Sequence, residues 1–210
     1  MLVSIFGASG RTGRPLVQQA LAAGHAVTAL VRTPEAFPLT HANLTVVQGD
    51  ATDPAAVRAA IPDGTDAVFV ALGHADGSPK DVLTMSTRHI LAAMEASGVR
   101  RIVNLTGGGV ASPKDPPFLP AKIVRGIMRV VAGPLLKDSE RQHALLAQSG
   151  LDWTNVRGPR LTEGPETGEI EVGYLKLGPA SVSRADVARF MLNAAERGEW
   201  IGEAPHITSA

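Results

Sequence analysis

Residues 5–16 read IFGASGRTGRPL, and this stretch decides the fold. A short apolar run precedes the glycines, which is typical of a buried strand, and PLVQQALAAG after them has the spacing of an amphipathic helix. Gly7, Gly10 and Gly13 let the backbone adopt unusual angles and let a phosphate approach the start of that helix. The stretch predicts a phosphate-binding turn, with a purely structural turn as the alternative. It lacks the Gly-Lys-Ser or Gly-Lys-Thr of a Walker A loop.

Apolar runs alternate with helical patterns along the rest of the chain. Further strands are predicted at 25–32, 44–48, 66–72, 101–105 and 152–156, and further helices from Pro54 behind an Asp53 cap, from Ser78 to Ser97, at 118–133, around 138–148 and after the capping box 183–186. Within such an alternation a glycine turn is specific for dinucleotide binding. We predict an α/β, Rossmann-like fold: a doubly wound parallel sheet with helices on both faces, forming a single domain over residues 1–210.

The composition narrows the classes of function. The 20 basic and 20 acidic residues balance, so bulk charge favours neither a nucleic-acid nor a membrane partner. The absence of cysteine excludes disulfides and thiolate metal sites, and the histidines lack metal-ligand spacing, so we expect no metal. No apolar run approaches the roughly 20 residues that span a bilayer. We expect a soluble, cytoplasmic protein.

The end of the second predicted strand distinguishes the two nicotinamide cofactors. An acidic residue there accepts hydrogen bonds from a ribose 2′-hydroxyl, whereas an arginine can bind a 2′-phosphate. The sequence has Arg32 at this point and no carboxylate before Glu35, and Arg11 in the glycine turn adds a second positive charge. We predict that NADP(H) is preferred, with NAD(H) as the other cofactor. The alternative is that Arg32 only solvates a strand end.

Several segments together resemble one known family. GASGRTG, HAVTALVR, VVQGDATD, DAVFVALG and SERQHALLAQSGLDWTNVRGPRLTEGP occur in the order typical of the atypical branch of the short-chain dehydrogenase/reductase superfamily. The chain is similar to the NAD(P)-binding, NmrA-like group, and most closely to the flavin reductase/biliverdin reductase B type. The resemblance covers nearly the whole chain, and it is specific to the group rather than to a substrate.

The resemblance implies a set of cofactor contacts. The glycine turn would hold pyrophosphate and ribose, Arg32 the adenosine phosphate, and the ends of later strands the adenine, ribose and nicotinamide. His74 directly follows this set at the fourth strand and is expected near the site. The implied residues are Gly7, Ser9, Gly10, Arg11, Thr12, Gly13, Arg32, Asp50, Ala51, Ala71, Leu72, Gly73, Thr106, Pro159, Arg160 and Leu161.

The chain departs from the superfamily at its usual proton donor. The main branch uses a Tyr-x-x-x-Lys pair, but the single tyrosine, Tyr174, is followed by Lys176 at two positions and Gly178 at four. We therefore expect no carbonyl reduction by the tyrosine mechanism, and we interpret Tyr174 as a structural residue of a C-terminal strand. Relatives also tend to have Thr-Ser after the fifth strand, where Thr106 is followed here by three glycines.

An acceptor pocket built from C-terminal loops is expected beside the nicotinamide. Gly107 and Gly108 leave space for a broad, flat acceptor, unless they only form a turn. Thr106 and His143 are the candidate catalytic residues, and His143 acts either as a proton relay or as a structural histidine. Arg160 is a candidate partner for an acidic group of the substrate, or one half of a stabilising ion pair.

Two functions from different classes fit these features. The first is an NADPH-dependent reductase that transfers hydride to a conjugated small-molecule acceptor such as a flavin, a quinone or a biliverdin-like compound. The second is a non-catalytic redox sensor that binds the dinucleotide and regulates a protein partner. Work on nucleotide sugars is disfavoured, because those relatives use the tyrosine-lysine pair. We expect a monomer or a small homo-oligomer.

The helix predicted at 118–133 carries a basic face. Lys122, Arg125 and Arg129 share that face, opposite Ile123, Ile127 and Val130. Such a helix binds a membrane surface or a partner in some proteins, and more often it presents a solvated face over a packed one. We interpret it as the second kind and as a candidate wall of the acceptor pocket.

Overall fold

The computed structural model describes residues 1–75, 77–117, 126, 133–176 and 180–210. The strands are β1 Leu2–Phe6, β2 Ala26–Val31, β3 Leu44–Gln48, β4 Ala67–Val70, β5 Arg101–Gly107, β6 Asp152–Gly158, β7 Arg160–Thr162, β8 Ile170–Gly173, β9 Ser181–Ser183 and β10 His206–Ser209. The α-helices are α1 Gly13–Ala22, α2 Pro54–Ala59, α3 Val82–Ser97, α4 Gly133–Gln148 and α5 Arg184–Glu196. The basic helix predicted at 118–133 lies outside the described residues, apart from positions 126 and 133.

The main sheet has eight strands in the order β3-β2-β1-β4-β5-β6-β10-β8, and β7 pairs with β9 in a second small sheet. Neighbouring strands are parallel from β3 to β10. The chain winds outward in both directions from β1, so the predicted doubly wound fold is confirmed. One strand differs from the prediction of a parallel sheet, because β8 at the edge is antiparallel to β10. Both strands have only four residues and lack a continuous apolar run, so the apolar pattern does not predict their bounds or direction.

Two apolar clusters fill the space between the sheet and its helices. One lies under α1 and α5, where Leu16 and Met191 pack with Ile5 of the sheet. The other lies under α2, α3 and α4 and contains Ile90 and Leu146. Because helices cover both faces, every residue of β4 is buried, as parallel strands in such folds require. Within the described ranges, no helix combines the length and the apolarity needed to cross a membrane.

Helix α3 begins differently from the prediction. Residues 78–81 were expected to start it, but the helix begins after Asp81, whose side chain makes no capping hydrogen bond. The Asp138 carboxylate on α4 instead accepts the amide hydrogens of Leu83 and Thr84. A cap that comes from another helix leaves no mark in the local sequence, which explains the difference.

The caps that the sequence does signal are present. Ser183 Oγ accepts the amide hydrogen of Asp186 at the start of α5, and Asp53 Oδ1 accepts that of Ala55 at the start of α2. Gly98 ends α3 with a φ of 69°. Local side-chain chemistry therefore determines these helix ends, as capping rules predict.

Candidate functional site

A cavity of about 700 Å³ opens at the carboxyl edge of the main sheet. In an open parallel sheet this edge, at the point where the strand order reverses, is where ligands bind. The cavity brings together most of the residues implied as cofactor contacts. Those that line it are Gly7, Ser9, Gly10, Arg11, Thr12, Arg32, Asp50, Ala51, Ala71, Leu72, Gly73, Thr106, Pro159 and Leu161.

The glycine turn is shaped by close backbone contacts. Gly7 has a φ of +81°, and a Cβ atom there would lie 2.5 Å from the carbonyl oxygen of Ala71. A Cβ atom on Gly13 would collide with the carbonyl oxygen of Gly7. Both positions exclude a side chain for these reasons. Gly13 is buried and does not line the cavity, so it shapes the turn from below rather than contacting a ligand.

The amino end of α1 is suited to an anion. Its N-cap residue, Thr12, makes no side-chain hydrogen bond to the helix, and the first turn contains no acidic residue. Thr12 and Arg11 line the cavity at this point. Unsatisfied N–H groups and the positive end of the helix dipole stabilise a phosphate at such a position. These residues therefore fit the pyrophosphate of a dinucleotide.

Two arginines determine the charge of the cavity next to the turn. Arg32 Nη1 lies 3.9 Å from Asp50 Oδ2, and Arg11 Nη1 lies 3.8 Å from Glu163 Oε1. The two arginine side chains are 63% and 76% exposed, respectively, so these long contacts leave them able to turn toward a phosphate. Burial raises the pKa of Asp50, but hydrogen bonds from the hydroxyl and amide of Thr52, with the charge of Arg32, bring that pKa below its usual value.

Two hydroxyl groups of the cavity wall lack partners. Thr106, in β5, is 6% exposed, and Ser86, on α3, is 0% exposed. Both line the cavity, and among the described residues neither Thr106 Oγ1 nor Ser86 Oγ has a hydrogen-bond partner. A buried hydroxyl group without a hydrogen bond costs about 1 to 3 kcal/mol of folding free energy. Buried hydroxyl groups are therefore normally hydrogen-bonded to protein, water or a ligand. We interpret these two as binding groups for polar atoms of a ligand.

The glycines after Thr106 have different surroundings. Gly107 lines the cavity, and a Cβ atom built on it would meet open space. Gly108 does not line the cavity, and its amide donates to the carbonyl oxygen of Gly158 at 2.6 Å. Of the two glycines, Gly107 therefore faces open space in the cavity, whereas Gly108 joins the ends of β5 and β6.

Two other predicted residues are not brought to the cavity. Arg160 is exposed and does not line it. His143 does not line it either, since its Nδ1 accepts from Asn155 Nδ2 at 3.0 Å and its ring meets Trp153 edge-on with centroids 5.6 Å apart. Burial lowers the pKa of His143, the positive charge of Arg157 lowers it further, and a nearby carboxylate opposes this in part. These contacts favour the structural interpretation of His143 over the proton relay.

Sequence reasoning missed some of the lining residues. Ser86 and Ser139 come from the middle of α3 and from α4, and nothing in their local sequence distinguishes them from ordinary helix residues. Arg184 directly follows the capping residue of α5, and its Nη1 donates to Glu163 Oε1 at 2.7 Å. His74, which the sequence placed near the site, does line the cavity. Within the described ranges, no three His, Cys, Asp or Glu residues form a group that could hold a metal ion.

Tyr174 lies outside the cavity, directly after β8. Its hydroxyl donates to Glu203 Oε2 at 2.5 Å and accepts the amide hydrogen of Ala204 at 3.0 Å. The guanidinium group of the fully buried Arg157 lies 5.6 Å from the ring centroid. Burial, followed by the hydrogen bond to Glu203, raises the pKa of Tyr174. These contacts fit the structural interpretation of Tyr174.

The sequence match to known proteins agrees with this geometry. A family model described as NAD(P)H-binding matches residues 7–197, from the glycine turn to the end of α5. The chain belongs to this NAD(P)H-binding family. The cofactor of the family is consistent with the glycine turn, the open helix start, and Arg11 and Arg32 in the cavity lining.

Two curated relatives of this family member are partial matches. A 3-diazoavenalumate denitrifying reductase from a Streptomyces species is 35% identical over 130 residues, which cover 57% of this chain and 42% of that protein. An uncharacterized chloroplastic protein of Arabidopsis thaliana is 27% identical over 181 residues, which cover 80% of this chain and 62% of that protein. The chain thus spans less than two thirds of the length of each.

Solved structures support the fold of this family member. The oxidoreductase ylbE from Lactococcus lactis superposes with a TM-score of 0.82 at 20% identity, over 100% of this chain and 91% of that one. The anaerobillin reductase ChuY from Escherichia coli O157:H7 superposes with a TM-score of 0.80 at 23% identity, over 100% of this chain and 97% of that one. At these identities the similarity establishes a shared Rossmann-like fold.

Proposed function

We propose that the protein is an NADPH-dependent reductase that transfers hydride to a conjugated small-molecule acceptor. One observation carries this proposal. The same cavity contains a glycine turn suited to a phosphate and, at Thr106 and Ser86, buried hydroxyls without a partner in the described part of the chain, and it is open beside Gly107. A site that binds only a phosphate would need neither the buried hydroxyl groups nor the open space beside Gly107.

The chain's own residues suffice to hold and orient the dinucleotide. The turn and the start of α1 bind the pyrophosphate, and Arg32 with Arg11 binds an adenosine 2′-phosphate, which makes NADP(H) the preferred cofactor. Thr106 and Ser86 donate to or accept from polar atoms at the nicotinamide end. When bound, the reduced nicotinamide supplies a hydride.

A conjugated acceptor suits this site because of what the cavity offers. Gly107 contributes no side chain, so a flat ring system can lie against the backbone there. Delocalised acceptors such as flavins, quinones or biliverdin-like compounds spread the incoming negative charge, so they need no strong acid like the tyrosine-lysine pair. The only tyrosine of the sequence hydrogen-bonds Glu203 away from the cavity, which supports a mechanism without it. Two of the similar proteins also bear reductase names.

The test is NADPH oxidation by the purified protein, followed by absorbance, with FMN, a quinone and biliverdin in turn and with NADH in parallel. Turnover of at least one acceptor, faster with NADPH than with NADH, is the expected result. Tight NADPH binding without any turnover would contradict the reductase proposal and favour the non-catalytic redox sensor. Failure to bind either dinucleotide would contradict both.

A further inference from the structure

A histidine and a buried carboxylate meet at the wall of the cavity. His74 follows β4, lines the cavity and keeps 18% of its side chain exposed. Its Nε2 lies 2.9 Å from Oδ2 of Asp138, which is 1% exposed. Ser139, the next residue on α4, also lines the cavity. The imidazole of this pair therefore lines the cavity, and its carboxylate partner is buried behind the imidazole.

Asp138 is held in place by two backbone amides, which can only donate, and by one hydroxyl group. Its Oδ2 accepts the amide hydrogen of Leu83 at 2.9 Å, and its Oδ1 accepts the amide hydrogen of Thr84 at 3.0 Å. The hydroxyl of Thr84 donates to the same Oδ1 at 2.5 Å. The start of α3, with its positive dipole end, thus surrounds a negative carboxylate. Asp138 is fixed whether or not His74 is present.

This arrangement determines how the imidazole is oriented. With Oδ2 an acceptor, His74 carries a hydrogen on Nε2 and donates it to Asp138. Nδ1 has no hydrogen-bond partner among the described residues, and it is the nitrogen left for a ligand in the cavity. A carboxylate bonded to one ring nitrogen orients the ring, and the other nitrogen is then the one that exchanges a proton with the substrate, as in histidine-carboxylate pairs of hydrolases.

The pair also lies at the right edge of the sheet. β4 and β5 are neighbours, with Val70 opposite Asn104, and His74 and Thr106 follow these two residues at the same carboxyl edge. His74 and Thr106 line the same cavity, together with Ser86. An acceptor bound against Gly107 would therefore occupy the same cavity as the imidazole.

We propose that His74 is the proton donor to the acceptor, positioned by Asp138; this role rests on the proposed reductase function. Bound NADPH would supply the hydride: its nicotinamide C4–H bond breaks, the cofactor is oxidised to NADP⁺, and a new C–H or N–H bond forms on the acceptor, which is reduced and left with an extra negative charge. The Nδ1–H bond of His74 then breaks and an O–H or N–H bond forms on the acceptor, so the product carries the hydride and one proton. His74 is left neutral, still bonded to Asp138 through Nε2, and water returns the proton to Nδ1.

The first test compares His74→Ala with the unmodified protein, using the acceptor that turns over best. Loss of a general acid lowers turnover by about 100-fold or more, and we expect kcat to fall by this amount while the Kd for NADPH stays within about threefold. Added imidazole should restore part of kcat in His74→Ala, because it can occupy the gap and donate a proton. His89→Gln, on α3 outside the cavity lining, is the matched control and should leave kcat unchanged.

The second test has an NMR readout that does not depend on the rate of turnover. In ¹⁵N NMR spectra of the protein without cofactor, neutral His74 should show its hydrogen on Nε2, and the Nδ1 signal should shift when a flat acceptor such as FMN is added. A neutral His74 with its hydrogen on Nδ1 would overturn the proposed orientation. Unchanged signals on adding an acceptor that turns over would overturn contact with the acceptor.

The outcomes separate this role from the reductase function itself. If the unmodified protein turns over no acceptor, the reductase proposal fails, and the role of His74 fails with it. If the unmodified protein is active and His74→Ala is equally active, or is slow but not rescued by imidazole, only the role of His74 is overturned. Reduced kcat that imidazole restores, with NADPH affinity unchanged, supports both.

Discussion

The two ends of the cavity are built in different ways. At the glycine turn, the backbone of one short segment makes the site, and Gly7 and Gly13 pack against carbonyl oxygens. Elsewhere the cavity is lined by side chains from distant segments, with His74, Ser86 and Thr106 contributed by a loop, a helix and a strand. The first end depends on close backbone packing, which requires glycine at these two positions. In the second region, substitution of a single side chain can change the chemistry of the cavity without changing the backbone. We therefore expect this region to determine substrate specificity.

The largest expected effect comes from a substitution in the glycine turn. Gly13→Val forces side-chain atoms into the carbonyl oxygen of Gly7. We expect a loss of more than about 4 kcal/mol of unfolding free energy, or failure to fold, because the contact is with backbone that cannot give way. Chemical denaturation followed by circular dichroism measures this. Gly24→Ala is the control, since a Cβ atom there meets nothing within 4 Å although φ is positive. Equal stability of Gly13→Val and Gly24→Ala would show that the turn is not tightly packed.

A large side chain at the other end should stop turnover without damaging the fold. Gly107→Trp fills open space in the cavity. We expect acceptor reduction to fall below detection while the Kd for NADPH changes by less than about threefold, because the pyrophosphate and 2′-phosphate contacts lie at the opposite end. Steady-state kinetics and a fluorescence titration measure the two quantities. Unchanged turnover would mean that the acceptor binds elsewhere.

A smaller, selective effect is expected at the arginines. Arg32→Ala removes one charge-assisted contact with a 2′-phosphate, which is worth about 1.5 to 3 kcal/mol, so NADPH affinity should fall about 10- to 100-fold. NADH affinity should change little. Arg88→Ala, exposed on α3 and outside the cavity lining, is the control. Equal losses for both dinucleotides, or no loss, would contradict the preference for NADP(H).

The smallest expected effect concerns residues 167 and 168, before β8, which are anchored by the Asp186 carboxylate on α5. Burial raises the pKa of Asp186, but hydrogen bonds from the amide of Gly168, the hydroxyl of Ser183, and the amide and hydroxyl of Thr167 lower it overall. A lowered carboxyl pKa stabilises the fold above the unfolded value of about 3.9, and this stability is lost as the pH falls through the folded pKa. Asp186→Asn should therefore cost about 2 kcal/mol at pH 7 and progressively less below about pH 4.

Thermal unfolding of Asp186→Asn and of the unmodified protein from pH 7 to pH 3 measures this difference. Asp63→Asn, on an exposed turn, is the control and should follow the unmodified protein at every pH. A gap in Tm between Asp186→Asn and the unmodified protein that stays constant with pH would mean that the Asp186 charge is not what anchors residues 167 and 168.

The same contrast explains what could be predicted from the sequence. β3 has the predicted bounds, and the parallel strands and the glycine turn follow from apolar runs and local backbone rules. The cap of α3 by Asp138 and the unpaired Ser86 hydroxyl depend on contacts between residues more than 50 positions apart or on a buried helix face. No local pattern encodes such contacts. His143 shows the converse, because tertiary packing places this candidate catalytic histidine against Trp153 and Asn155 rather than in the cavity lining.

The central claim is that hydride passes directly from the cofactor to an acceptor in this cavity. The most direct measurement uses NADPH carrying deuterium on one face of C4 of the nicotinamide, with an acceptor that is reduced at carbon, such as biliverdin. Mass spectrometry of the product then locates the label. We predict one deuterium per product molecule from one of the two labelled faces and none from the other. Product without deuterium from either face would contradict direct hydride transfer.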